Sequence, residues 1–246
     1  KWPMPSPDDF DYTQVPERCR QLGDHAIFVG GAGLADILNQ SGMIRSVEQT
    51  MLDLLTENPA WLCWVDRRVE TELEITRRTI EAARGRIDFL WMGEDLGSQD
   101  APLISLESYR RVIRPRHQKY VDLAKSFDLP VMVHSCGSSS GFYEDFIEMG
   151  VDAVDTLQPE AVNMSPAYLK RRFGQRLAFH GCISTGGPVA FGTVEDVVRD
   201  CRETLEVMMP GGGYCFSPTH ALQDNSPTEN VLAMYETAKT YGRYGG

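Results

Sequence analysis

Short apolar runs bounded by Gly, Pro or Asp recur along the chain, and between them lie longer stretches whose apolar positions repeat at helical spacing among charges. The short runs predict strands over 26–30, 88–93, 130–135, 152–156, 177–182 and 213–217. The longer stretches predict helices over 47–57, 59–84, 106–127, 140–149, 165–173, 193–208 and 227–241. Ser105, Ser165, Thr193 and Ser226 stand where N-caps belong, because a short side-chain oxygen there can accept a free N–H of the first turn. Pro166 and Pro227 follow two of them as expected first helical residues. Repeated βα units imply an α/β protein with a parallel sheet, either a barrel or a doubly wound sheet.

The polar residues after the strands favour the barrel. Glu94-Asp95, His134-Ser-Cys136, Asp155 to Gln158, His180 to Ser184 and Ser217 to His220 follow successive strands, which suits one shared rim at the strands' carboxyl ends. A doubly wound sheet would gather them at a single switch point. The Gly30-Gly31-Ala32-Gly33 turn resembles a dinucleotide loop only in part, since it lacks the third Gly or Ala of that fingerprint. The expected architecture is therefore a TIM-type barrel occupying residues 1–246 as a single domain. Six βα units fall short of the eight of a closed barrel, and the chain opens on Lys1, so an N-terminal portion supplying the remaining strands is expected to be missing.

Composition narrows the function classes. At 246 residues, 42% hydrophobic and 24% charged, the chain has enough apolar material for a large core. The formal charge of −11 opposes a nucleic-acid groove, which needs clustered Lys and Arg to displace counterions. No apolar stretch approaches the roughly 20 residues of a membrane span, and no leader pattern opens the chain, so no membrane partner is expected and the protein reads as cytoplasmic. Six scattered cysteines read as reduced thiols rather than a disulfide framework.

The densest chemistry follows the run Leu129-Pro-Val-Met-Val133. His134 and Cys136 stand two positions apart at a strand end, and residues i and i+2 of a strand project to one face. An imidazole and a thiolate can then converge on one ion, and zinc accepts that mixture. Glu94, Asp95 or Asp155 could add an oxygen ligand or orient the free nitrogen of His134. Glu94 and Asp95 are also candidate catalytic groups, and Gln99, Asp155 and Gln158 candidate substrate contacts, since loops directly after strands line such a rim. The plainer reading of these loop residues is capping and loop closure.

Several runs resemble the uroporphyrinogen decarboxylase superfamily: Glu94-Asp-Leu-Gly-Ser-Gln99 with Pro102-Leu-Ile-Ser105, Val131-Met-Val-His-Ser-Cys-Gly137, Gly181-Cys-Ile-Ser-Thr185 with Gly192-Thr193, and Gly212-Gly-Tyr-Cys-Phe-Ser-Pro-Thr-His220 with Pro227-Thr-Glu-Asn230. Their order and spacing match along about residues 85 to 240. The resemblance implies a TIM barrel whose members include tetrapyrrole decarboxylases and zinc-dependent methyltransferases acting on cobamides. In the methyltransferases a His-x-Cys pair is joined by a late Cys; His134 and Cys136 match the pair, while Cys215 and His220 compete for the late place. In the decarboxylases the late turn carries a histidine at the substrate rim, which would make His220 a catalytic or substrate contact. The N-terminal region in which the true decarboxylases keep carboxylate-binding arginines and a catalytic Asp is expected to be absent here, which weakens the decarboxylase expectation.

The resulting expectation is methyl transfer between a corrinoid carrier and a thiol, with zinc as cofactor, the cobamide as carried substrate, and a corrinoid protein as possible partner. A decarboxylase of porphyrinogen-type substrates and a non-enzymatic small-molecule-binding barrel are the alternatives. The remaining residues read as structure: Cys19, Cys63, Cys182 and Cys201 as packing, His25 and His117 as solvated, and Arg110, Arg111, Arg114 and Arg116 as a solvated helix face.

Overall fold

The computed structural model describes residues 4–245. The α/β expectation holds: helices α1 (Val15–Leu22), α2 (Leu38–Arg45), α3 (Val47–Leu55), α4 (Pro59–Ala83), α5 (Leu106–Ser108), α6 (Arg114–Lys125), α7 (Tyr143–Met149), α8 (Pro166–Phe173), α9 (Pro188–Phe191), α10 (Val194–Met208) and α11 (Thr228–Tyr241) alternate with strands β1 (Phe28–Gly30), β2 (Phe89–Gly93), β3 (Val131–Ser135), β4 (Ala153–Thr156), β5 (Ala178–Ile183) and β6 (Tyr214–Pro218). The strands follow chain order in one sheet, and the registered pairings are parallel. The described strands thus form a six-stranded parallel sheet, the barrel-type arrangement short of eight strands.

The chain forms two compact units. The first comprises Lys1–Asp95, Ile104–His134 and Glu148–Val151. Its strands carry Leu90, Met92, Val131 and Val133 into a core shared with Ile113, Tyr120, Val121 and Ala124, all with about 1% exposure or less. Strands of a parallel sheet lie buried on both faces, which is why they read as near-continuous apolar runs. The second unit comprises Leu96–Leu103, Ser135–Ile147 and Asp152–Gly246. There Ile183, Val189, Val197, Cys201 and Met234 form a buried cluster, with Phe216, Leu222 and Ala233 against it.

All six predicted strands form, each within two residues of its expected start. The predicted helix over 106–127 is interrupted by a π-helical stretch, Tyr109–Ile113, immediately before Arg114-Pro115. Pro115 has no N–H to give to the preceding turn and its ring crowds the carbonyl four residues back, so the helix widens there. Over 140–149 the first turn is 3-10 rather than α. Thr193 forms a full capping box with Asp196, and Ser105 accepts from Ser108 N. Ser226 is a correction: Pro227 is the N-cap of α11, and the hydroxyl of Ser226 is buried without a partner. Helices α1, α2 and α9 lie outside the predicted spans; α2 is short and contains Gly42, which blunts its amphipathic signal. Among the described residues no helix is long and apolar enough to cross a membrane.

Candidate metal and acid–thiol sites at the strand ends

In the first unit, β2 and β3 pair so that Gly93 lies opposite His134, and Glu94 N donates to His134 O at 3.0 Å. This places the residues after β2 beside the imidazole. Asp95 Oδ1 stands 3.7 Å from His134 Nε2, and Asn39 Nδ2 of α2 donates to Asp95 Oδ2 at 2.9 Å. Trp91 meets the His134 ring edge-on at 6.4 Å between centroids. Cys136 follows His134 by two residues, and one ligand atom each from Asp95, His134 and Cys136 lies within 4.8 Å of the others. All three side chains are half-buried. A carboxylate oxygen, an imidazole nitrogen and a thiol sulfur at that spacing fit a zinc ion with one position left open.

The loop that carries Cys136 is fixed by close backbone contact within the second unit. Gly137 has φ +68°, and a Cβ there would lie 2.3 Å from Gly97 O. Ser138 N donates to Ser98 O at 2.7 Å, Leu96 N donates to Ser135 Oγ at 3.1 Å, and Gly137 N donates to Gln158 Oε1 at 2.6 Å. Gln158, expected as a substrate contact, thus spends its carbonyl oxygen ordering the Cys136 turn. Gln99 is exposed.

Glu94 is not an open rim group. It is fully buried, and its two oxygens accept from Ile37 N at 2.8 Å and Leu38 N at 2.9 Å at the start of α2. Burial lifts its pKa to about 7, against those two donors and a hydrogen bond from Asp36. Burial, followed by the charge and hydrogen bond of Glu94, raises Asp36 to about 8. The two carboxyls therefore share a proton, held mainly on Asp36. His117 was expected to be solvated and is instead fully buried, with Nε2 3.5 Å from Glu94 Oε2. Its pKa falls to about 4 through burial, so it is neutral. A polar helical residue reads as exposed in one dimension; only the packing of α6 on this acidic pair shows otherwise.

Two other plain readings need correction. Cys63 is exposed, while Cys19, Cys182 and Cys201 are buried as expected. Arg116 is largely buried, donating to Asp66 and to the Val112 carbonyl, whereas Arg111 and Arg114 pair with surface glutamates. His25 is exposed as expected.

The other two late candidates lie in the second unit. His220 is exposed. Cys215, on β6, pairs in register with His180 on β5, which pairs with Asp155 on β4. His180 Nδ1 lies 2.6 Å from Asp155 Oδ1, and the same imidazole is hydrogen-bonded to the Cys215 thiol. Asn39, Asp36 and His180 are the participants that sequence reasoning missed or left aside; the period-two alternation of β5 was a usable signal for His180.

The sequence profile of the uroporphyrinogen decarboxylase (URO-D) family matches residues 20–241. The chain belongs to that family. Among curated proteins of the family's kind, it is 29% identical over 138 residues to uroporphyrinogen decarboxylase of Synechocystis sp., covering 55% of this chain and 37% of the relative. It is 26% identical over 142 residues to the methylcobamide:CoM methyltransferase MtbA of Methanosarcina acetivorans, covering 56% of this chain and 38% of the relative. The aligned parts thus span well under half the length of these relatives. A solved methyltransferase from Methanosarcina mazei shares the fold, with a TM-score of 0.71 at 19% identity over 94% of this chain and 64% of that one. The chain is thus similar both to a decarboxylase and to a methyltransferase.

Proposed function

We propose that this URO-D family member transfers a methyl group between a corrinoid carrier and a thiol, with zinc held by Asp95, His134 and Cys136. The observation that carries the reading is the convergence of those three ligand types at the ends of β2 and β3. The similarity to a methylcobamide:CoM methyltransferase supports it. When bound, the ion would supply positive charge that favours the thiolate form of an incoming thiol near neutral pH. The chain's own residues prepare the site: Asn39 orients Asp95, Trp91 packs against the His134 ring, and the Gln158 contact sets the turn after Cys136. Asp95 then acts as a ligand, and Glu94 as the anchor of α2 rather than an acid that meets substrate.

Elemental analysis after reconstitution with zinc should give about one ion per chain, and either His134→Ala or Cys136→Ser should abolish tight binding together with methyl transfer. A folded preparation that takes up no zinc in excess metal would end the reading.

The second reading is decarboxylation of a porphyrinogen. The 29% identity to a uroporphyrinogen decarboxylase favours it, and the exposed His220 sits in the late turn where a substrate contact would belong. Carbon dioxide release from a porphyrinogen, abolished by His220→Ala and indifferent to Cys136→Ser, is its signature.

A further inference from the structure

Three register-paired positions on β4, β5 and β6 carry an acid, an imidazole and a thiol in a row: Asp155 opposite His180, and His180 opposite Cys215. Side chains at paired positions of neighbouring strands point to the same face, so the row is a product of the sheet itself. The ends of the row differ in access. Asp155 is 6% exposed, whereas Cys215 is exposed. Asp155 takes Nδ1 of His180 at 2.6 Å, so Nε2 is the ring nitrogen that Asp155 does not occupy, and the Cys215 side chain is the next along the row. A carboxylate that fixes the imidazole, which in turn engages a nucleophile, is the arrangement that activates thiols in general.

The neighbouring thiols behave oppositely. Cys182 sits two residues beyond His180, is buried, and burial pushes it up to about 12; Cys201 on α10 is pushed up likewise. Cys215 is held below the ordinary thiol value by the His180 hydrogen bond, against partial burial. Burial opposes the charged form of His180, yet its bonds to Asp155 and Cys215 and their charges outweigh that and raise it to about 9. The two shifts run in the same sense, each favouring the charged form of its group, Cys215 as thiolate and His180 as imidazolium.

We propose that Cys215, His180 and Asp155 form a nucleophilic thiol site, separate from Asp95, His134 and Cys136, for substrates bearing a polarised carbon–carbon double bond of the α,β-unsaturated carbonyl class. The pair supplies both things such an addition consumes. The Cys215 sulfur forms an S–C bond to the β-carbon, and the π pair of the double bond moves to the carbonyl as an enolate. The Nε2 proton of His180 then passes to the α-carbon, leaving a neutral imidazole. The product is a thioether, and no leaving group, oxidant or reductant is needed. Asp155 does not touch the substrate; it is a positioning residue for His180.

The test uses N-ethylmaleimide, a cyclic unsaturated dicarbonyl, at limiting concentration and pH 6.0, with each cysteine's labelling rate followed by peptide mass spectrometry. Cys63 is exposed on α4 and serves as the internal reference. Cys215 is expected to label at least tenfold faster than Cys63, and His180→Gln to slow Cys215 at least tenfold with Cys63 unchanged. Iodoacetamide needs the thiolate but no proton, so its rate at Cys215 should depend less on His180 than the maleimide rate does. A wild-type ratio below ten overturns the proposal without any variant having to fold. Equal dependence of the two reagents on His180 overturns the proton-donating step and with it the substrate class.

Discussion

Asn39 shows how much a single contact can be asked to do. Its amide holds one oxygen of Asp95, leaving the other turned toward His134. Groups that orient a ligand without touching the ion typically govern about 10–100-fold in affinity. Asn39→Ala should therefore weaken zinc binding by about that factor in competition with a chromogenic chelator while leaving the circular dichroism unchanged. Affinity within twofold of wild type would remove Asn39 from the site. The carboxyl pair beneath it makes a different prediction. Asp36 holds its proton up to about pH 8 in the folded protein against an ordinary value of 3.8. Its contribution is fully present below about 3.8 and is lost progressively as pH rises to 8, because over that range the unfolded chain releases a proton that the folded state still holds. Stability should fall between about pH 4 and 8, by a few kcal/mol (roughly 2–4) from this group, and Asp36→Asn should flatten the slope in urea denaturation. An unchanged slope would assign the proton elsewhere.

Among elements, the turn between β3 and α7 decides whether Cys136 faces His134. Gly97 and Gly137 let two backbone segments meet at a distance that no side chain would permit, and Gly137 also adopts a left-handed conformation. Gly137→Ala forces a Cβ against Gly97 O, so the backbone must move. A loss of about 2–4 kcal/mol is expected, readable as a lowered Tm, together with weaker metal binding. Helix α2 matters for the same reason. Its first N–H groups are satisfied by Glu94, so strand end and helix start are joined by one buried carboxylate.

At the scale of the whole molecule, a bound ion should act on stability by mass action. Zinc at 100 times its Kd adds about 2.7 kcal/mol to the folded state, and a protein of this size gains about 2–4 °C in Tm per kcal/mol. A chelator should lower the wild-type Tm by roughly 5–10 °C and leave Cys136→Ser where it was. Equal responses would mean that the ion binds elsewhere.

The sequence by itself determined the strands and most of the helices, since burial on both faces of a parallel sheet imposes short apolar runs and amphipathic spacing imposes helices. It also determined that His134 and Cys136 lie together, which is local: two residues this close in sequence stay near each other whatever surrounds them, even though β3 ends at Ser135 and Cys136 stands just beyond it. Contacts made across long separations were decided only by the tertiary structure. Asp95 rather than Glu94 stands with His134 and Cys136 because Glu94 is consumed by α2; His117 is buried because α6 packs on an acidic pair; and Cys215 meets His180 because β5 and β6 fall into that register. A one-residue slip in register would send those side chains to the opposite face, and nothing in a linear pattern fixes which of two neighbouring thiols the sheet will choose.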